Sequence, residues 1–131
     1  TGPAPGSKGN NKELVNAALK KDGLPRIKQL VGEGYDINSK DSDGDTALHY
    51  AAREGYNEIV DWLIGAKANV NAVNNFGNSP LHLSAHNGHA EATRMLLNAR
   101  ADTTLKNNQG KTALDRARDL GHTAVVAMLK K

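Results

Sequence analysis

Apolar residues come in short stripes along this chain, broken by glycine, and the stripes repeat. Ile59, Val60, Leu63 and Ile64 recur at i, i+1, i+4 and i+5, the spacing of one buried face on a short helix. Ahead of them, Ala47-Leu48-His49-Tyr50-Ala51-Ala52 forms an Ala-rich run. Thr46 stands where its hydroxyl can cap that run, and Gly55 stands where the run ends. The pattern predicts two short helices joined at Gly55, followed by an extended, Asn-rich turn from Asn69 to Gly77.

The arrangement returns every 33 residues without a gap. Gly44, Gly77 and Gly110 keep that step, as do Gly55, Gly88 and Gly121. So do Thr46, Ser79 and Thr112, then Leu48, Leu81 and Leu114, then Leu63, Leu96 and Leu129. Backwards, the register brings Leu30 under Leu63, Ile37 under Val70, Asn38 under Asn71 and Ala18 under Ala51. Asn11 stands where the first turn glycine would be. Helices below about 12–15 residues are marginal in water, so each predicted helix needs its neighbour and the next unit to bury its stripe. A stack follows.

Thr46-Ala47-Leu48-His49, Ser79-Pro80-Leu81-His82 and Thr112-Ala113-Leu114-Asp115 resemble the T-P-L-H signature of the ankyrin repeat, whose repeat length is also 33. Gly88-His89-Ala90-Glu91 resembles that family's G-H-x-E opening of the second helix, and Asp36-Ile37-Asn38 and Asn69-Val70-Asn71 resemble its D-V-N segment. The resemblance covers about residues 11–131. It implies an all-α solenoid of four stacked helix-turn-helix units, about 11–40, 41–73, 74–106 and 107–131, with β-hairpin-like finger loops and the outer units as caps. Residues 1–10 hold no large apolar side chain and are expected to be a flexible linker or an added remnant.

Two departures matter. The family usually places a left-handed glycine after the second helix, as at Gly34, whereas Lys67 and Arg100 occupy that column here. Holding a Cβ there costs on the order of 1 kcal/mol, so the turn is either softer or wants a basic group at that edge. Asp115 replaces the usual His in the last unit, which suits a more polar terminal cap.

Composition narrows the chemistry. The 131 residues include 17 Lys+Arg, 14 Asp+Glu, 4% aromatics and no Cys. That removes disulfides, Cys-ligated metals and cysteine nucleophiles, and favours a reducing intracellular compartment, cytoplasmic or nuclear. No apolar run approaches the roughly 18–20 residues of a membrane span, so no membrane partner is expected. A start at Thr1 admits a fragment or a processed chain.

The units 1–40, 41–73, 74–106 and 107–131 carry +3, −4, +1 and +3. A charge that is positive only at the ends is not the continuous cationic stripe of a nucleic-acid binder, and nucleic acid is not the expected partner. Asp41, Asp43 and Asp45 open like a calcium loop, but positions six and twelve are Thr46 and Ala52 in place of Gly and Glu. His82 and His86 share a helix face and could begin a metal site. Yet His82 repeats His49, and His89 and His122 repeat the G-H position, where the resemblance implies structural hydrogen bonds. Only His86 lacks such a role. Phosphate loops, dinucleotide fingerprints and hydrolase motifs are missing, and Asp115 with Asp119 reads as solvated. The expectation is a non-catalytic chain without cofactor or metal.

The resemblance implies protein recognition along a concave face made of fingers and first helices. Around the turn glycines stand Ser42, Asp43 and Asp45, then Asn75, Phe76 and Asn78, then Asn108, Gln109 and Lys111. Closing the first helices are Lys20 and Lys21, Arg53 and Glu54, His86 and Asn87, and Arg118 and Asp119. This variety contrasts with the constant Gly and Leu columns. The expected contact residues are Asp43, Asp45, Arg53, Glu54, Phe76, Asn78, His86, Lys111 and Arg118. Phe76, the single Phe, would be the apolar anchor at a finger tip. Tyr50 and Trp62 are expected to pack between units. An acidic patch at Asp43, Asp45 and Glu54 would steer a partner with basic groups, bound by a monomer. Two other readings stand beside this one: a nucleic-acid-associated module using the basic ends, and a structural spacer in a longer chain.

Overall fold

The computed structural model describes residue 4 and residues 6–130 of the chain. Among these, eight helices and no strand are found: α1 (Lys12–Ala17), α2 (Leu24–Gly32), α3 (Ala47–Glu54), α4 (Asn57–Gly65), α5 (Pro80–His86), α6 (Ala90–Asn98), α7 (Ala113–Leu120) and α8 (Thr123–Leu129). Consecutive helices pack in pairs, α1 on α2 through α7 on α8. Helices α1, α3, α5 and α7 stand side by side in one layer, with α4, α6 and α8 neighbours behind them.

Local chemistry sets each start. The hydroxyls of Thr46, Ser79 and Thr112 accept from the backbone N–H three residues on, and the side chain at that third residue returns a bond to the cap's own N–H. Each such reciprocal cap satisfies two donors the helix itself cannot. Gly55 and Gly121 end α3 and α7 in the left-handed region.

The core is thin and runs the length of the stack. Leu48, Leu81, Leu63 and Leu96 are fully buried, with Ile27, Ile59 and Val125 beside them. Each such side chain contributes about 1.5–3 kcal/mol on burial. Tyr50 and Trp62 are half-buried against this core, as inter-unit packing requires. Lys67 and Arg100 adopt φ 71° and 65°, so a side chain is held where glycine would be relaxed.

The N-terminal end differs from expectation. Residues 1–3 and 5 lie outside the described residues, but residues 8–10 are not a free linker. Lys8 N–H donates to Gly34 O at 2.9 Å, Asp36 N–H donates to Gly9 O at 2.8 Å, and Asn10 exchanges two hydrogen bonds with Lys40. Asn11 is no stand-in for a turn glycine: it is extended at φ −140° and caps α1 by accepting from Glu13 N–H. Helix α1 therefore starts earlier in the register than α3, and ends early where a Cβ on Gly23 would meet Ala17 O at 1.7 Å.

Candidate functional site

The loops 41–45, 74–78 and 107–111 are not strands. Each is closed by a main-chain bond, Asp41 N–H to Asp45 O, Asn74 N–H to Asn78 O and Asn107 N–H to Lys111 O, with the turn glycine's N–H returning to the first residue's carbonyl. Their interiors are organised by the column that opens each loop, Asp41, Asn74 and Asn107. Oδ1 of Asp41, Asn74 and Asn107 accepts two backbone N–H groups, two and four residues on, at 2.9–3.0 Å. The other oxygen of Asp41 takes the Tyr50 hydroxyl. Burial raises Asp41's pKa, but these hydrogen bonds outweigh it and hold the carboxyl below its ordinary value. With both oxygens occupied, Asp41 has a structural role that the calcium pattern does not describe.

Successive loops are stitched together. Asn75 N–H donates to Asp43 O at 2.9 Å and Asn108 N–H to Phe76 O at 3.0 Å. The Asn75 and Asn108 amides reach Ser42 O and Asn75 O. Asn74 Nδ2 donates to Asp45 Oδ1 at 2.8 Å, and Asn107 Nδ2 to Asn78 Oδ1 at 3.0 Å. Two expected contact residues are thereby drawn inward. Asp45 is only 8% exposed, its carboxylate turned to the next loop, so it is a joint in the stack with little surface to offer. Asn78 is half-buried in the same role. The expected acidic patch shrinks accordingly to Asp43 and Glu54.

Phe76 is 59% exposed at its loop tip, in a column with exposed Asp43 and Gln109. Arg53 lies over the Tyr50 ring at 4.7 Å and bonds Glu54 through Nε at 3.1 Å. Lys111 Nζ reaches Asp119 at 3.3 Å. Arg118, at 3.9 Å from Asp115, lies one place off the Arg53 and His86 column, which at a period of 33 runs on to Asp119.

The histidines divide into two kinds. His49 and His82 are buried: Nδ1 accepts from the cap residue's N–H at 3.1–3.2 Å, and Nε2 faces the carbonyls of Asn78 and Lys111 at 2.9 Å. A carbonyl only accepts, so the proton sits on Nε2 and the ring is neutral. Burial pushes both below their ordinary value. With both nitrogens of His82 taken, a pairing of His82 with His86 on a metal has no free ligand to start from.

His86, expected to lack a structural role, has one: Nδ1 accepts from an Arg116 Nη at 2.6 Å. Its main-chain oxygen takes His122 Nε2 at 2.8 Å. Burial and then the Arg116 charge hold His86 low. Arg53, Asn78, Leu83, His86, Gln109 and Arg116 share one cleft of about 300 Å³ between α3, α5, α7 and the last two loops. Sequence reasoning missed Arg116 because its column holds Tyr50 and Leu83 in the other units.

Short capped helices in pairs, tied loop to loop and layer to layer by repeated hydrogen bonds, define a helical-repeat protein. A family model described as ankyrin repeats, in three copies, matches residues 14–107 and 54–131. The chain belongs to the ankyrin-repeat family, whose members are in general non-catalytic protein-interaction modules. Two ankyrin repeat proteins of Rickettsia felis are each 43% identical over 51 residues, which is 39% of this chain and 79% and 76% of theirs. An ankyrin repeat protein of Acanthamoeba polyphaga mimivirus is 40% identical over 47 residues, 36% of this chain and only 6% of that protein's length. No helix among the described residues is long and apolar enough to cross a membrane.

Proposed function

We propose that the chain is a monomeric stack of four ankyrin units whose finger loops and first helices form a concave face that binds another protein. Phe76 carries the reading. Its ring is 59% exposed on a loop pinned on both sides, by Asn74 Oδ1 on its own N–H and by Asn108 N–H on its carbonyl. A large apolar side chain carried into solvent on a pinned backbone costs less entropy on binding than one on a loose loop, which is the profile of an anchor. Asp43, Arg53, Glu54, His86, Lys111 and Arg118 supply the polar surround, with Asp45 and Asn78 fixing the fingers. An intracellular, reducing location, cytoplasmic or nuclear, fits a chain with no Cys.

The test is retention of source-cell proteins by the wild type and by a Phe76→Ala/Asp43→Lys variant, both confirmed as folded by circular dichroism. Proteins retained by the wild type alone are the expected result. For such a partner, Phe76→Ala should weaken affinity by more than ~1 kcal/mol with thermal stability nearly unchanged. Equal affinity of both proteins ends the reading.

A further inference from the structure

Most of the arginines on this surface are answered by a carboxylate. Arg26 pairs with Glu13, Arg53 with Glu54, Arg94 with Glu91 and Arg118 with Asp115. Arg116 is not. It is half-buried in the cleft between α3, α5 and α7, and among the described residues no carboxylate lies within ion-pair distance of it. Among the described residues its side-chain hydrogen bond goes to His86 Nδ1, a neutral acceptor that takes a hydrogen bond but no charge. No Asp or Glu lines the cleft. Glu54 engages Arg53 through Nε, and the terminal amino groups of Arg53 make no hydrogen bond among the described residues. The side-chain amide of Gln109 on the rim is likewise unengaged among them. The other large groove, between α4 and α6, has its arginine, Arg94, already paired with Glu91.

A partly desolvated guanidinium without a counter-charge is held at a cost, and its fork geometry matches a carboxylate through two parallel bonds. We propose that the Arg53–Arg116 cleft receives the side-chain carboxylate of an acidic segment of a partner protein. This deepens the concave-face reading and rests on it. Arg116 takes the carboxylate, Arg53 and Gln109 flank it, and His86 keeps the guanidinium aimed by accepting one of its hydrogens. The loop that supplies Asn78 to the cleft also carries Phe76, so an apolar residue beside the acidic one reaches the anchor. The preferred partner is acidic at this point, the opposite sign from that expected of an Asp43–Asp45–Glu54 patch, because Asp45 is buried and Glu54 is engaged.

The test is an NMR titration of the full, isotope-labelled chain with an end-capped Leu-Glu-Glu-Leu peptide, its Leu-Gln-Gln-Leu counterpart, and inorganic phosphate. The acidic peptide should shift the Arg116, His86 and Gln109 signals saturably, about tenfold more tightly than the Gln peptide. Arg116→Gln should abolish most of that preference, while Arg100→Gln, exposed and outside the cleft, should change it less than about twofold. If Arg116→Gln fails to fold, Arg116→Lys keeps the charge without the fork and should still weaken the peptide about threefold or more. Equal response to the two peptides, or equal loss in Arg116→Gln and Arg100→Gln, overturns the proposal. So does tighter binding of phosphate at the same residues. Should the peptide fail while a captured partner still depends on Phe76, the cleft falls and the concave-face reading stands.

Discussion

The layers α3–α4 and α5–α6 lie 33 residues apart and agree wherever one layer meets the next. His49 and His82 each bond a carbonyl of the following loop. A Cβ on Gly55 or Gly88 would meet the ring of His89 or His122 at 2.7 Å. Within a layer they diverge. Ala51 and Val60 in the first become Ser84 and Thr93 in the second, two buried hydroxyls bonded to each other at 2.9 Å. At the loop tips, Asp43 becomes Phe76. A stack must reuse one joint at every step, so the joint residues are constant, while a layer's interior and exposed tips can vary.

Breaking the joint should have the largest effect. His82→Ala removes the reciprocal bond to Ser79 and the tie to Lys111 O, leaving the buried Ser79 N–H unmatched and a cavity where the ring stood, for about 2–4 kcal/mol in chemical denaturation. The same histidines set a pH response. His49, His82 and His86 all lie below their ordinary value of 6.5 when folded, so the unfolded chain takes up protons first. Stability is complete above about 6.5 and declines as pH falls through the lower folded values, with Asp41 contributing only below its ordinary 3.8. His82→Ala should flatten that decline; an unchanged slope would show that His82 is not responsible.

Gly88 and Gly121 separate the joint from the backbone. Both are left-handed, at φ 71° and 75°, but only Gly88 lies against a histidine ring, while nothing lies within 4 Å of a Cβ on Gly121. Gly121→Ala should cost about 1 kcal/mol from backbone strain alone, and Gly88→Ala about 2 or more. Equal costs by thermal unfolding would mean that the His122 contact adds nothing.

The layer interior should tolerate an exchange that the joint would not. Ser84→Ala strands the Thr93 hydroxyl in the core and should cost about 1–2 kcal/mol. Adding Thr93→Val recreates the apolar pair of the α3–α4 layer and should recover most of it, giving a coupling readable in a double-mutant cycle. Additive losses would contradict the comparison.

How far the sequence could be read follows the same division. The period, the caps at Thr46, Ser79 and Thr112, and the buried Leu columns were legible because each rests on spacing within one chain segment. The inward hydrogen bonds of Asp45 and Asn78 were not legible because their partners, Asn74 and Asn107, lie 29 residues away on a neighbouring loop. Variation in a column marks exposure only if no side chain from the next layer reaches it. The Arg53–Arg116 cleft was harder still. It combines different columns from different units, and only the packing of α3, α5 and α7 brings them together.

The smallest expected effect concerns the turns that close α4 and α6. Gly34 ends the first pair at φ 101°, whereas Lys67 and Arg100 sit at 71° and 65° with a Cβ in the left-handed region. Both side chains are exposed and neither makes an ion pair among the described residues, so no contact offsets the backbone cost. Lys67→Gly and Arg100→Gly should each stabilise the chain by up to about 1 kcal/mol, the gain in folded-state strain being trimmed by the freer unfolded glycine. Lys67→Ala, which keeps the Cβ and removes the charge, should leave stability unchanged. Stabilisation by Ala equal to that by Gly would place the cost in the lysine's charge and not in its backbone, and the softness of these turns would then need an electrostatic cause.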